Sequence, residues 1–141
     1  MSIRDNYLEI LKRKDAAAKR SGRNPEDVML MAVTKKHEPD ELKEAIDAGA
    51  TDFGENKVQE LLSKYDEVHP ERWHLIGHLQ TNKVRQIIDK VTMIHSVDSL
   101  KLAREINKRA AAAGVVMDVL IEINLAGEES KTGISKGEVR E

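Results

Sequence analysis

Lys35 follows a short apolar run, VMLMAV at 28–33, with only Thr34 between them. A lysine whose stem is anchored at the end of a buried strand is partly desolvated. Desolvation lowers the pKa of an ammonium, and the neutral amine can attack a carbonyl carbon to form a Schiff base. The competing reading is that Lys35 and Lys36 are solvated loop charges. Polar groups also close each later apolar run: Glu55 and Asn56; His78, Gln80, Asn82 and Lys83; His95, Ser96 and Asp98; Asn124, and then Glu128 to Lys131. Where short strands lie parallel, their C-terminal ends form one rim, and active groups collect there.

Other constellations carry less. His74 and His78 are four apart, which on a helix would suggest a metal pair. Here Leu75, Ile76 and Gly77 read as strand, and no glutamate completes H-E-x-x-H. His37, His69 and His95 read as surface or rim residues. GEESKTG at 127–133 lacks the second glycine that a phosphate loop places before its lysine. NKVRQIIDK at 82–90 reads as a solvated helix face, and the serines lack a nucleophile elbow. With no cysteine, disulfides and thiolate chemistry are excluded.

The elements that would position these groups alternate. Ile3, Tyr7, Ile10 and Leu11 mark a leading helix, with Ser2 and Asp5 as a capping box and Gly22, Asn24 and Pro25 as its stop. Strands are expected at 28–33, 51–54, 73–77, 91–97 and 115–125. Helices are expected from Pro39 to Gly49, from about Asn56 to Tyr65, over roughly 80–90, and from a cap at Asp98 to Gly114. Five strands alternating with helices predict a parallel α/β sheet, either an open doubly wound sheet or a (β/α) barrel. No G-x-G-x-x-G follows any strand, which weakens the dinucleotide-binding version. Ser135 and Glu138 have the S-x-x-E spacing of a helix start just before residue 141. A barrel needs eight strands, so residues 1–141 read as the N-terminal portion of one domain, cut at the start of the helix after strand five.

Bulk composition fits one soluble globular domain, with 40% apolar and 34% charged residues. Aromatics are only 3%, so the core must be aliphatic. A net charge of −2 does not suit a nucleic-acid binder. No apolar run approaches the roughly 18 residues of a membrane span, and the N-terminal segment has no secretory core. The expectation is a cytoplasmic protein with neither nucleic-acid nor membrane partners.

Five strings, in order and over about the whole chain, resemble one family. They are AVTKKHEP at 32–39, FGENKVQE at 53–60, WHLIGHLQTNK at 73–83, IHSVDS at 94–99 and IEINLAGEESKTGI at 121–134. The family is the pyridoxal phosphate homeostasis proteins, whose fold is similar to the N-terminal barrel domain of alanine racemase. The resemblance implies a (β/α)8 TIM-type barrel holding pyridoxal 5'-phosphate as an internal aldimine on Lys35. It implies a cofactor carrier in vitamin B6 and amino-acid balance, without established turnover. It places Asn56 near the cofactor ring, His74, Gln80 and Asn82 along the rim, with His74 equally readable as a structural residue of strand three, and Asn124 beneath the ring. Lys131 is then a second amine near the mouth that could help transfer the aldehyde. In this family the late strands supply the phosphate-binding donors, and 141 residues do not reach them. Two other readings stay open: a pyridoxal-phosphate-dependent racemase relative, and a half-barrel that binds no cofactor and associates through open sheet edges.

Overall fold

The computed structural model describes residues 2–125, 133–135 and 137. Helix α1 (Ile3–Arg20) leads; β1 (Met31–Val33), α2 (Pro39–Asp47), β2 (Asp52–Glu55), α3 (Val58–Tyr65), β3 (Arg72–Leu75), α4 (Val84–Ile87), β4 (Met93–Val97), α5 (Leu100–Ala113) and β5 (Asp118–Ile121) follow. The five strands form one sheet in the order β1-β2-β3-β4-β5, and every pairing is parallel. Consecutive strands as neighbours, each joined by a crossover, is the winding of a β/α barrel wall. A doubly wound sheet would reverse its order at a switch point.

The local signals explain the elements. Ser2 Oγ accepts from Asp5 N at 3.0 Å, and Lys19 and Arg20 lie in the last turn of α1, where the helix dipole favours cations. Pro39 opens α2, where a missing N–H costs nothing. Gly114 closes α5 at φ +70°, a conformation that a residue with a Cβ adopts only at a cost. The cap of α5 is Ser99, whose Oγ accepts from Leu102 N at 3.1 Å, not the expected Asp98.

The largest departures from the expected ranges are at β1, β5 and the segment 80–90. Before β1, a 3-10 turn at Pro25–Asp27 takes the N–H of Val28, so only Met31–Val33 pair with β2. Before β5, Val115 N closes back onto Ala110 O at the end of α5, which removes it from the strand. The expected helix over 80–90 is a 3-10 turn at Thr81–Lys83 followed by the single turn of α4. Val84, Ile87 and Ile88 are nevertheless buried and anchor that segment. Beyond β5, residues 122–124 turn to an isolated bridge between Ile123 and Ile134. The helix expected from Ser135 and Glu138 falls largely outside the described residues.

The core lies between one face of the sheet and the helices. Phe53, Trp73, Leu75 and Ile94 come from the strands; Leu42, Leu61, Val84, Ile87, Leu102 and Ile106 cover them. Phe53 and Trp73 meet edge to face at 5.6 Å between centroids. The other sheet face is more open: Val33 and Leu120 are each 49% exposed. Among the described residues, no helix is long and apolar enough to cross a membrane.

Candidate functional site at the strand ends

The backbone brings the ends of β1 and β2 together. Val33 is paired with Gly54, and Thr34 N continues the ladder to Gly54 O at 3.0 Å. Lys35 and Asn56 therefore leave neighbouring strands at the same end. Lys35 is exposed and Asn56 half-buried, so the desolvation expected of Lys35 is not present. Among the described residues β1 is an edge strand that pairs with β2 alone.

Lys35 sits in a turn closed by His37 N donating to Thr34 O at 3.1 Å. Lys36, at the third position of that turn, has φ +64° and is the single non-glycine residue with positive φ among the described residues. Type II turns favour Gly or Asn there. A residue with a Cβ pays roughly 1–2 kcal/mol for the left-handed conformation.

A buried ion cluster backs this turn. Lys64 Nζ donates to Thr34 O at 2.8 Å, to Glu55 Oε2 at 2.9 Å and to Glu60 Oε2 at 2.8 Å. Those three bonds use all the donors of an ammonium. Thr34 Oγ1 donates to Glu55 Oε2 at 2.6 Å, and Lys36 N donates to Glu60 Oε2 at 2.7 Å. Burial pulls the Lys64 pKa down, but the hydrogen bonds and charges of Glu60 and Glu55 outweigh it, and the net shift is upward. Hydrogen bonds from Lys64 and from the Lys36 backbone hold the Glu60 carboxyl down at about 2. Glu55 thus does not stand on the open rim: it is fully buried in the layer between sheet and helix.

On the opposite face of the sheet a second polar chain runs across three strands. Arg72 holds Asp52 with a fork, Nε to Oδ2 at 2.8 Å and Nη2 to Oδ1 at 2.9 Å. His74 Nε2 lies 2.7 Å from Asp52 Oδ2, and its Nδ1 lies 2.9 Å from His95 Nε2. Asp52 accepts the Nε2–H of His74, and one proton is shared across the contact between the two rings. Burial, and then the proximity of His74, lower the His95 pKa. His74 is therefore a buried member of a strand-spanning network, 2% exposed, and not a residue of the rim. His95 is half-buried within the same chain rather than at the surface.

Asp52 gives a pH prediction. Burial raises its pKa, but hydrogen bonds from Arg72, Thr51 and His74 and the charge of Arg72 prevail and hold it at about 2, from an ordinary 3.8. A depressed folded-state pKa stabilises above the unfolded value and ceases to do so as pH falls through the folded one. The protein is expected to lose up to about 2 kcal/mol from this group between roughly pH 4 and pH 2. Urea midpoints across that range, compared with Asp52→Asn, check it; parallel pH profiles for the two proteins would remove Asp52 as the cause.

The remaining expected residues scatter. Gln80 is exposed and precedes the 3-10 turn at Thr81–Lys83. Asn82 is exposed and lines a small hollow with Thr81, Lys101 and Glu105, on the α5 side. Asn124 is half-buried past the end of β5, where its N–H donates to Ile134 O at 2.8 Å. Lys131 lies outside the described residues. His78 is exposed and faces Asp98 at 3.3 Å, separate from His74. The apolar hollow between α1, β1 and α2, lined by Ile3, Tyr7, Ile10, Leu30 and Leu42, opens at the unpaired edge of β1. Its lining is mostly apolar, with Asn6, Thr34, His37 and Glu41 as its polar members.

The sequence reading passed over Lys64, Glu60, Asp52 and Arg72. One signal was available: Glu60 and Lys64 have the i, i+4 spacing of a helical ion pair. Asp52 within a four-residue buried strand was another, since an unpaired buried carboxylate is costly and demands a partner.

Comparison with known proteins agrees with the parallel α/β fold. The model for the alanine racemase N-terminal domain matches residues 9–141. The pyridoxal phosphate homeostasis protein of Aquifex aeolicus (strain VF5) is 40% identical over 143 residues, covering 100% of this chain and 63% of that protein. The protein of the same name from Escherichia coli (strain K12) is also 40% identical, covering 99% of this chain and 62% of that one. The chain thus spans a little over 60% of these relatives' length. PipY of Synechococcus elongatus PCC7942, in a structure with PLP bound, superposes with TM-score 0.69 at 35% identity, over 84% of this chain and 56% of that one. A structure of an unknown protein from Bifidobacterium adolescentis gives TM-score 0.84 at 36% identity, over 97% of this chain and 60% of that one. With its parallel strands in barrel order and a family match over nearly its whole length, the chain belongs to the alanine racemase N-terminal domain family.

Proposed function

We propose that this protein holds pyridoxal 5'-phosphate through Lys35 at the mouth of a (β/α) barrel and serves vitamin B6 and amino-acid homeostasis as a carrier. The observation that carries the reading is the placement of Lys35: an exposed primary amine just past β1, beside Asn56 at the end of β2. The donor set suits the cofactor, with an amine for its aldehyde and amide groups of Asn56 and Asn124 for its ring. When bound, the cofactor supplies an aldehyde, which condenses with a lysine amine to form a C=N bond and release one water. The turn around Lys35 presents the amine, and Asn56 orients what binds beside it. Gln80, Asn82 and Lys131 complete the set that the family resemblance suggests, with Lys131 as an accessory amine.

The relatives' shared name, homeostasis protein, supports a role without turnover. So does the placement of the two tyrosines: Tyr7 lies on α1, and Tyr65 ends α3 with Lys90 over its ring at 5.5 Å. Neither stands at a strand end where it could serve as an acid or base. A cytoplasmic setting belongs to this reading, since free amines there would otherwise consume the aldehyde.

Mixing the protein with pyridoxal phosphate, reducing with borohydride and mapping the product by mass spectrometry tests the proposal. A single pyridoxyl group on Lys35, lost in Lys35→Ala together with the visible absorption band, is the expected result. Labelling scattered over Lys36, Lys83 and other lysines, unchanged in Lys35→Ala, would refute it.

The apolar row of β5 favours a second reading, association through the open sheet edge. Val119, Leu120 and Ile121 are 40–51% exposed, and such an edge recruits strands. Light scattering over a dilution series is expected to show a dimer or larger species; a monomer throughout rules this reading out.

A further inference from the structure

Two residues of the Thr34–His37 turn, Thr34 and Lys36, are gripped from behind. Thr34 is held through its carbonyl by Lys64 and through its hydroxyl by Glu55. The strained Lys36 is held through its N–H by Glu60. The Lys35 side chain makes no hydrogen bond or ion pair among the described residues. The turn's own sequence, T-K-K-H, offers neither the glycine nor the asparagine that its backbone favours. The conformation must therefore be imposed, and the contacts that can impose it come from α3 and β2.

We propose that Glu60, Lys64 and Glu55 are positioning residues for Lys35: they force the left-handed turn at Lys36 and so fix where the Lys35 amine stands. This rests on the reading of Lys35 as the cofactor lysine. An ion pair buried in the sheet–helix layer, Lys64 with Glu55, is a costly way to stabilise a fold, because well-packed apolar residues do as well or better. Their hydrogen bonds to the backbone of one turn give them a geometric task that apolar residues could not perform. Lys64 is the hub. Glu60 is the handle, because it alone reaches the strained residue.

The test uses the full chain, pyridoxal phosphate as probe, and a double-mutant cycle. Glu60 is half-buried on α3 with its side chain 26% exposed, so Glu60→Ala removes no apolar core residue, although it takes one of the three acceptors of Lys64. Borohydride-trapped label on Lys35 at limiting cofactor is expected to fall roughly tenfold in Glu60→Ala, within the range that a released left-handed turn would give. Glu60→Gln, which keeps an acceptor for Lys36 N, is expected to restore most of it. On a Lys36→Gly background the turn costs nothing, so Glu60→Ala is expected to change the labelling less than twofold, by the same argument. Trp73 fluorescence and circular dichroism confirm folding in each variant. Wild-type labelling in Glu60→Ala overturns the clamp while leaving Lys35 as the cofactor lysine. An equal loss on both backgrounds also overturns it, because the effect then does not pass through the turn. If Lys35→Ala keeps the band and the label, the cofactor reading and the clamp fall together.

Discussion

Replacing Lys64 with methionine is expected to lower stability by about 3–5 kcal/mol, the range for removing one partner of a buried ion pair. Lys64 is 5% exposed and Glu55 0% exposed. The mutation leaves Glu55 buried without its cation, and Thr34 O loses one of its two donors. Methionine has nearly the volume of the lysine stem, so the loss reports the charge and not a cavity. The double variant Glu55→Gln/Lys64→Met should be less damaged than the sum of its parts predicts, because the carboxylate that needed the ammonium is gone. Urea unfolding followed by the fluorescence of Trp73, the single tryptophan, measures both. A loss below about 1 kcal/mol would place the pair among ordinary surface salt bridges and refute this account.

The second large effect is expected at Gly77. A Cβ there would stand 2.3 Å from Asn56 O, 2.8 Å from Asn56 Cα and 2.9 Å from Asn56 C. All three are backbone atoms of the chain just past β2, so no rotamer change relieves the contact. The carbonyl of Gly77 is also pinned, accepting from Ser96 Oγ at 2.6 Å. Gly77→Ala must therefore push the ends of β2 and β3 apart, at a cost of about 1–3 kcal/mol or more. Because Asn56 is the group displaced, cofactor binding should weaken as well. Gly54→Ala is the control: its Cβ would meet Met31 Sδ at 2.8 Å and the Ile76 side chain at 3.2 Å. A thioether side chain can shift where a peptide cannot. Thermal melts and pyridoxal phosphate titrations of the two variants should rank Gly77→Ala as the worse in both. Equal or reversed ranking would show that the β2–β3 junction is softer than its contacts imply.

The order of elements was legible because it is written in local periodicity. Apolar runs between breakers read as buried strands, and each expected strand, the long one at 115–125 included, overlaps an observed one. Ser2, Pro39 and Gly114 marked helix ends for reasons internal to each helix. The misplaced starts of β1 and β5 share one cause: a preceding helical turn claims the backbone N–H that a strand would have used. Val28 and Val115 are apolar enough for a strand, yet both give their N–H to a preceding helical turn.

The site divided along the same line. That Lys35 and Asn56 lie at neighbouring strand ends was legible because each follows a recognisable strand, and parallel strands put their ends on one rim. His74 stayed open between the rim and the interior of strand three because a histidine in an apolar run carries no mark of depth. Only its contacts to Asp52 and His95 place it inside. Glu55 was expected on the rim because it stands beside Asn56, although successive strand residues face opposite sides. The sequence alone determined the α/β alternation, the parallel sheet and the lysine at the end of the first strand, since all follow from spacing along one chain. The tertiary structure decided which charges are buried and whom they hold. Lys64 stands 30 residues from the Thr34 carbonyl it grips, and the price of burying a charge is settled by the partners that folding brings to it.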